Sequence, residues 1–439
     1  MSRLNRGLPN TLVVNGLIAA AGLFSGLVLA RSLGPEGRGE YVAVVLWPSL
    51  LAMVGELGLN FSLAFFAGNK RASISALWTL ALLVSVSVGI LLAVVGAAVA
   101  SRSLNLSIEA HLSLMLNMIT VPFLLLTGNM VYLLLGSGWL AESNWVRAYT
   151  GVSYAVGIGI VAVIGRASIQ QYTFVFLFTQ ISSALLALTL CWWRIKPVWE
   201  WQQSQVRPVF VYGAKSYVNS LIGQANLRLD QLIMTILVPA SQLGIYAVAV
   251  SMSTTIGPIY NAVALVTFSR VAQQPSPAMA GWITQRYAHI TVGIGTPIAL
   301  VMLVLMPQLL PSLFGAAFLP AVLPAQVLIV AAVIQGIGAT IGNGLRGAGL
   351  PGKAALAEAN GLLLTVALLF LLLPSLGAMG AAITSLLSYV VVVFVEIWFM
   401  VRFASLSWVS WLQPDWGVIF PPWLQNIWPF SRFMRSAAE

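Results

Sequence analysis

Twelve long apolar runs divide this chain, and no fold built for water can accommodate them. They cover roughly Thr11–Leu33, Tyr41–Ala67, Ala76–Ala100, Leu112–Leu135, Val146–Ile164, Tyr172–Trp193, Ser216–Val238, Leu243–Val266, Tyr287–Leu310, Pro324–Gly342, Ala354–Leu373 and Gly377–Val401. About 20 apolar residues in a helix cross the hydrocarbon core of a bilayer. A membrane β-barrel would instead show short alternating segments, so the runs predict an all-α protein of twelve transmembrane helices. Charge supports lipid as the solvent: only 7% of the 439 residues are charged, against roughly 25% in a soluble domain. The first run is too long for a signal-peptide core and no small-residue cleavage site follows it, so it reads as a retained helix.

The net charge of +10 could suggest a nucleic-acid partner, but the placement of the charges explains it otherwise. With the N-terminus inside and twelve crossings, sixteen of the 21 Lys and Arg fall on the inner side. Arg31, Arg38, Arg102 and Arg166 fall outside, and Arg228 lies within a helix. This is the positive-inside bias of membrane proteins. It predicts a bacterial inner-membrane protein with both termini in the cytoplasm and no nucleic-acid partner. The single Cys191 excludes an intramolecular disulfide and reads as a packing residue. With two separated histidines, His111 and His289, and no Cys/His cluster, no metal site is expected.

The chain also reads as two copies of one six-helix unit. Asn15, Leu17, Ile18, Ala21, Leu23, Leu33 and Pro35 align with Asn219, Leu221, Ile222, Ala225, Leu227, Leu237 and Pro239, and one insertion later Tyr41 aligns with Tyr246. Six helices per copy make the repeats parallel, related by a pseudo-two-fold axis along the membrane normal. The expected division is an N-terminal bundle over 1–193, a cytoplasmic linker over 194–211, a C-terminal bundle over 212–404, and an interfacial tail over 405–439. The tail carries Trp408, Trp411, Trp416, Trp423 and Trp428 among Pro414, Pro421, Pro422 and Pro429. Prolines at that density rule out a long helix, and tryptophans favour the headgroup level.

Several segments resemble a known family. Arg31-Ser-Leu-Gly-Pro-Glu-Gly-Arg-Gly-Glu-Tyr41 looks like a signature of the polysaccharide flippases that carry O-antigen and exopolysaccharide units, within the same superfamily as the multidrug and toxin extruders. Tyr212-Gly-Ala-Lys-Ser-Tyr217 with Leu227-Arg-Leu-Asp-Gln231 resembles the start of that family's seventh helix. Leu243-Gly-Ile-Tyr-Ala-Val-Ala249 resembles its eighth, and Phe314-Gly-Ala-Ala-Phe-Leu-Pro-Ala321 the loop after its ninth. The resemblance implies two bundles forming a V around a central cavity that opens alternately to either side. It implies a polyprenyl-pyrophosphate-linked oligosaccharide as substrate, for surface polysaccharide and lipopolysaccharide biosynthesis. Membrane lipids, and a glycan polymerase or glycosyltransferases, would be the partners.

Such a substrate needs a polar path for its head, because an isolated charge in hydrocarbon costs tens of kcal/mol by Born estimates. No nucleophile–base pair, carboxylate pair or phosphate loop stands out, so no enzyme and no cofactor is expected beyond a coupling proton or sodium ion. Read as one helix, run seven puts Asn219, Asn226 and Asp230 on one stripe and Gln224, Arg228 and Gln231 on another. Arg228, Asn226 and Gln224, with the rim cations Lys215, Lys70 and Arg346, are the substrate-binding candidates. Asp230 and Glu56 are the ion-coupling candidates. Arg31, Glu36, Arg38 and Glu40 surround a glycine-rich outer turn and are candidates for an outer gate closed by ion pairs. Glu396 reads as interfacial, and Asn117, Asn129, Gln180, Gln335 and Asn343 as sugar contacts or ordinary interhelical hydrogen bonders. Three other readings remain open: a small-molecule or drug antiporter on the same fold, a non-transporting scaffold for glycan-assembly enzymes, and a peptidoglycan-precursor flippase, a group that usually has fourteen helices where twelve runs are counted here.

Overall fold

A computed structural model describes residues 2–412 apart from 105 and 166. For residues 2–10, 12, 103, 215, 216, 218–220, 222, 225, 409 and 412 it describes the backbone alone. Among the described residues every regular element is helical. In chain order they are α1 (Ser2–Gly55), α2 (Leu59–Gly68), α3 (Ile74–Ser103), α4 (Ile108–Asn117), α5 (Thr120–Gly136), α6 (Leu140–Ile164), α7 (Ile169–Ile195) and α8 (Gln203–Asn226). There follow α9 (Leu229–Leu237), α10 (Ala240–Ser253), α11 (Gly257–Val271), α12 (Pro277–Phe314), α13 (Val322–Gly347), α14 (Pro351–Ala404) and α15 (Trp408–Leu412).

Among the described residues, eight helices are long and apolar enough to cross a membrane, or nine when the bent pair α4 and α5 is taken as one span. The chain is thus a multi-pass membrane protein. Two of these helices hold two apolar runs each. A straight helix of the 54 residues in α1 would be about 81 Å long, far beyond the ~30 Å hydrocarbon core. Gly34 interrupts it with φ 68° and ψ −178°, a conformation that a side chain disfavours and glycine tolerates. Gly377 interrupts α14 in the same way, with φ 53°. Large apolar side chains remain bare on the outside, such as Val163 at 88% and Val304 at 76% exposure, as lipid-facing surfaces require.

The described residues form two compact units, one within Met1–Val248 and Pro311–Leu319, the other within Ala249–Leu310 and Pro320–Glu439. The first has one core around Leu29, Tyr41, Leu114, Ile158 and Tyr172, and another around Leu63, Met130, Leu133, Val146 and Cys191. The buried Cys191 thiol faces the Met130 carbonyl at 3.8 Å, a packing environment. In the second unit Ile341, Leu345, Phe399 and Met400 pack with Trp411, which is buried just before the tail leaves the described residues. Trp416, Trp423 and Trp428 lie outside them.

One contact inside the first unit joins equivalent positions of the sequence repeat. Gly39 and Gly244 have the same separation as Tyr41 and Tyr246, and they pack backbone against backbone. A Cβ on Gly39 would overlap the Ala240 carbonyl, and one on Gly244 would overlap the Pro35 carbonyl. Each would also lie 2.9 Å from the other glycine's amide nitrogen. The contact is reciprocal.

Candidate functional site

The first unit carries a set of polar side chains inside its spans. Its sharpest member is Arg147. Counting from Leu140 at the start of α6, it stands about 10 Å along the helix. Its guanidinium donates to Asn15 Oδ1 at 2.8 Å and to Asn144 Oδ1 at 3.3 Å. Asn144 is itself fixed by a 2.8 Å hydrogen bond from its amide to Thr11 Oγ1. Among the described residues no carboxylate pairs with Arg147. Neutral amides therefore orient this charge without cancelling it. Sequence reasoning placed Arg147 among the inner-side cations. The available signal was a charge inside a run beginning near Val146, with Asn144 one turn before it.

Tyr132 links Arg147 to a second group, lying in electrostatic range of both Arg147 and Glu56. Glu56 sits where the chain breaks between α1 and α2. Leu57 and Gly58 both have positive φ there, 48° and 73°, so the backbone turns and the carboxylate is set apart from the helix. Asn60 donates its amide to Glu56 Oε2 at 2.9 Å, and its own Oδ1 accepts the Phe61 N–H at 2.8 Å. Gly58 lies against Gly213 of α8. Close by, the Ser62 hydroxyl donates to the Val209 carbonyl at 2.7 Å and Tyr217 donates to the Met53 carbonyl.

Run seven is not one helix. It breaks between α8 and α9, and Arg228 is the N-cap of α9 with φ −128°. The two polar stripes drawn on a continuous helix therefore do not exist: Asn226, Asp230 and Gln231 are all buried, while Gln224 and Arg228 are exposed. The Asp230 carboxylate accepts the Tyr246 hydroxyl and the Gln231 N–H, the latter at 2.7 Å. Arg228 acts on it from electrostatic range. Lys215 lies in α8, and its side chain is outside the described residues; Lys70 is exposed with φ 52°.

At the glycine-rich turn the four candidate gate charges do not pair with one another. Arg31 donates to the Leu313 and Ser312 carbonyls, at 2.6 and 2.5 Å, where the end of α12 offers unpaired carbonyls. Glu40 accepts the Ser107 N–H and hydroxyl, both at 2.8 Å. Arg38 lies in range of Tyr41 and Tyr154, whose hydroxyls meet at 2.8 Å, and Glu36 is exposed.

In the second unit Glu396 is buried at 1% exposure, which corrects the interfacial reading. Gly338 and Gly342 of α13 open the room it occupies, and Glu358 and Arg346 lie in electrostatic range. Arg346 thus faces a protein carboxylate. Asn117 and Asn129 act as interhelical hydrogen bonders, to the Val44 carbonyl and Ser85 Oγ, each at 2.9 Å.

Long apolar helices make this a multi-pass membrane fold, and solved structures share it. An inward-facing multidrug resistance MATE family transporter of the MOP superfamily superposes with a TM-score of 0.74 at 15% identity, over 88% of this chain and 94% of that one. The lipid II flippase MurJ in an inward closed conformation gives 0.75 at 14% identity, over 93% and 90%. An outward-facing MATE family transporter of the MOP superfamily gives 0.65 at 14% identity, over 92% and 95%. No curated protein matches the chain in sequence. The profile of the family described as polysaccharide biosynthesis protein matches residues 28–323. The chain belongs to that family.

Proposed function

We propose that the protein is a flippase that moves a polyprenyl-pyrophosphate-linked oligosaccharide across the bacterial inner membrane by alternating access, for surface polysaccharide biosynthesis. The observation that carries this reading is Arg147, a cation inside a span whose hydrogen-bond partners are neutral amides. An ionisable group inside a membrane is costly and marks a polar pathway. A guanidinium has five donors in a planar fork that matches phosphate, and Asn15 and Asn144 occupy only part of it. The pyrophosphate would complete the arginine's coordination while the prenyl tail stays in lipid. Arg228 is a second cation available to the same head, and no bond is made or broken.

Coupling to a proton or sodium ion is assigned to Glu56. It shares Tyr132 with Arg147, so a cation that neutralises Glu56 strengthens the field Arg147 presents to an anion. Both termini lie in the cytoplasm in this reading, where glycosyltransferases supply the substrate and a polymerase takes the product on the other side. The likeness to a multidrug resistance transporter favours one rival, a small-molecule or drug antiporter on the same fold. An uncompensated arginine disfavours cationic cargo.

The test is flipping of a fluorescent lipid-linked glycan in proteoliposomes. Arg147→Ala is expected to slow flipping about tenfold or more, the worth of hydrogen bonds to a charged group, while Arg147→Lys retains part of the rate. Unchanged flipping by Arg147→Ala removes the assignment. Transport of cationic dyes with no glycan flipping favours the rival.

A further inference from the structure

The linker between α7 and α8 is fastened to the first unit in a way that sorts its charges. The Val198 N–H donates to Ser75 Oγ at 3.2 Å and the Glu200 N–H to Thr79 Oγ1 at 3.1 Å. The Ser73 hydroxyl and the Gln202 amide both donate to the Glu200 carboxylate. Nearby, Arg194 pairs with Glu142 at 2.6 Å, its guanidinium over the rings of Trp139 and Trp193 at 4.6 and 4.2 Å. Both carboxylates of this rim are thus taken up by the protein itself.

The cations are left outward. Lys70 and Arg71 in the loop after α2, Lys196 at the tip that follows α7, and Arg207 in the first turns of α8 are all exposed. Lys70 and Lys196 hold positive φ, 52° and 49°, each at the end of a helix. Trp192, Trp193, Trp199 and Trp201 are also bare, at 60, 62, 64 and 53% exposure. Cations bind lipid phosphates near a membrane surface, and tryptophan settles at headgroup depth with its ring toward the acyl chains. A soluble polyanion would use the cations and leave the indoles in water.

We propose that this rim, the linker with the loop after α2, is a docking surface for anionic phospholipid headgroups. The lipid phosphates engage the outward lysines and arginines, and the indoles enter the headgroup layer beside them. The linker is thereby held to the leaflet as well as to the first unit. The surface exists whatever cargo the spans carry.

Native mass spectrometry of the purified full-length protein, offered equal phosphatidylglycerol and phosphatidylcholine, tests this. Wild type is expected to retain phosphatidylglycerol preferentially. The combined variant Lys70→Gln, Arg71→Gln, Lys196→Gln, Arg207→Gln should lose that preference by about fivefold per charge removed, whereas Arg102→Gln should keep it. Trp199→Ala with Trp201→Ala leaves all four cations in place and should lower retention of both lipids. Equal phosphatidylglycerol retention by the combined variant and wild type overturns the proposal. So does complete displacement of the lipid by soluble tripolyphosphate, which would mean that phosphate alone is read.

Discussion

Arg147, in the span Leu140–Ile164, and Asp230, in the short helix α9, are both charges of the first unit held by neutral hydrogen-bond partners, and they differ in exposure. Asp230 is buried at 6% exposure and accepts hydrogen bonds from the Tyr246 hydroxyl and the Gln231 N–H. Arg147 is exposed and held by two neutral amide oxygens. Asp230 has its donors in place, so its contribution is to hold α9 against α10. Arg147 has its direction set by two amides and no carboxylate partner among the described residues, which is why the proposed function gives it the anionic head. A charge in a membrane protein is therefore best read by whether it is buried among its hydrogen-bond partners or left open beside them.

The strongest way to break this comparison is to remove each charge and measure both stability and flipping. Asp230→Ala should lower stability in a thermal unfolding assay by about 1–3 kcal/mol, because it leaves the buried Tyr246 hydroxyl short of its acceptor. The surviving protein should flip at nearly its normal rate per molecule. Arg147→Ala should do the reverse, with unfolding unchanged and flipping down about tenfold or more. If both variants lose the same property, the distinction fails. A smaller effect is expected at Glu56: Glu56→Gln should reduce the response of flipping to an imposed ion gradient by about fivefold or more. A variant that still follows the gradient moves coupling elsewhere. The smallest effect belongs to Asn15→Ala, which loosens the guanidinium without removing it. It should slow flipping about threefold to fivefold, and a loss as large as that of Arg147→Ala would mean the asparagine itself meets the substrate.

The helices were readable because apolar runs of membrane length have few alternatives. The runs Thr11–Leu33 and Tyr41–Ala67 correspond to two helical stretches that meet at Gly34, where a single glycine makes the break between them. Run seven failed as a single helix. Its apolar composition gave no hint of the break at Leu227 and Arg228, so stripes drawn at 100° per residue joined side chains that do not share a helix. The outer turn was recognised by its charges, yet Arg31 and Glu40 turn to main-chain groups of α12 and the α4 cap. Sequence spacing counts neighbours along the chain, while unpaired helix ends arrive from elsewhere.

What the sequence determined by itself is the solvent: a chain so poor in charge must live in lipid. What only the tertiary structure decided is which charges are spent. Asp230, Glu396 and Arg147 look alike in the sequence, each an ionisable residue in a largely apolar stretch. The partners of a charge lie a few ångströms away across helix boundaries, such as Tyr246 for Asp230 and Asn15 for Arg147. Coulomb energy and hydrogen bonding fall off with distance in space and take no account of distance along the chain.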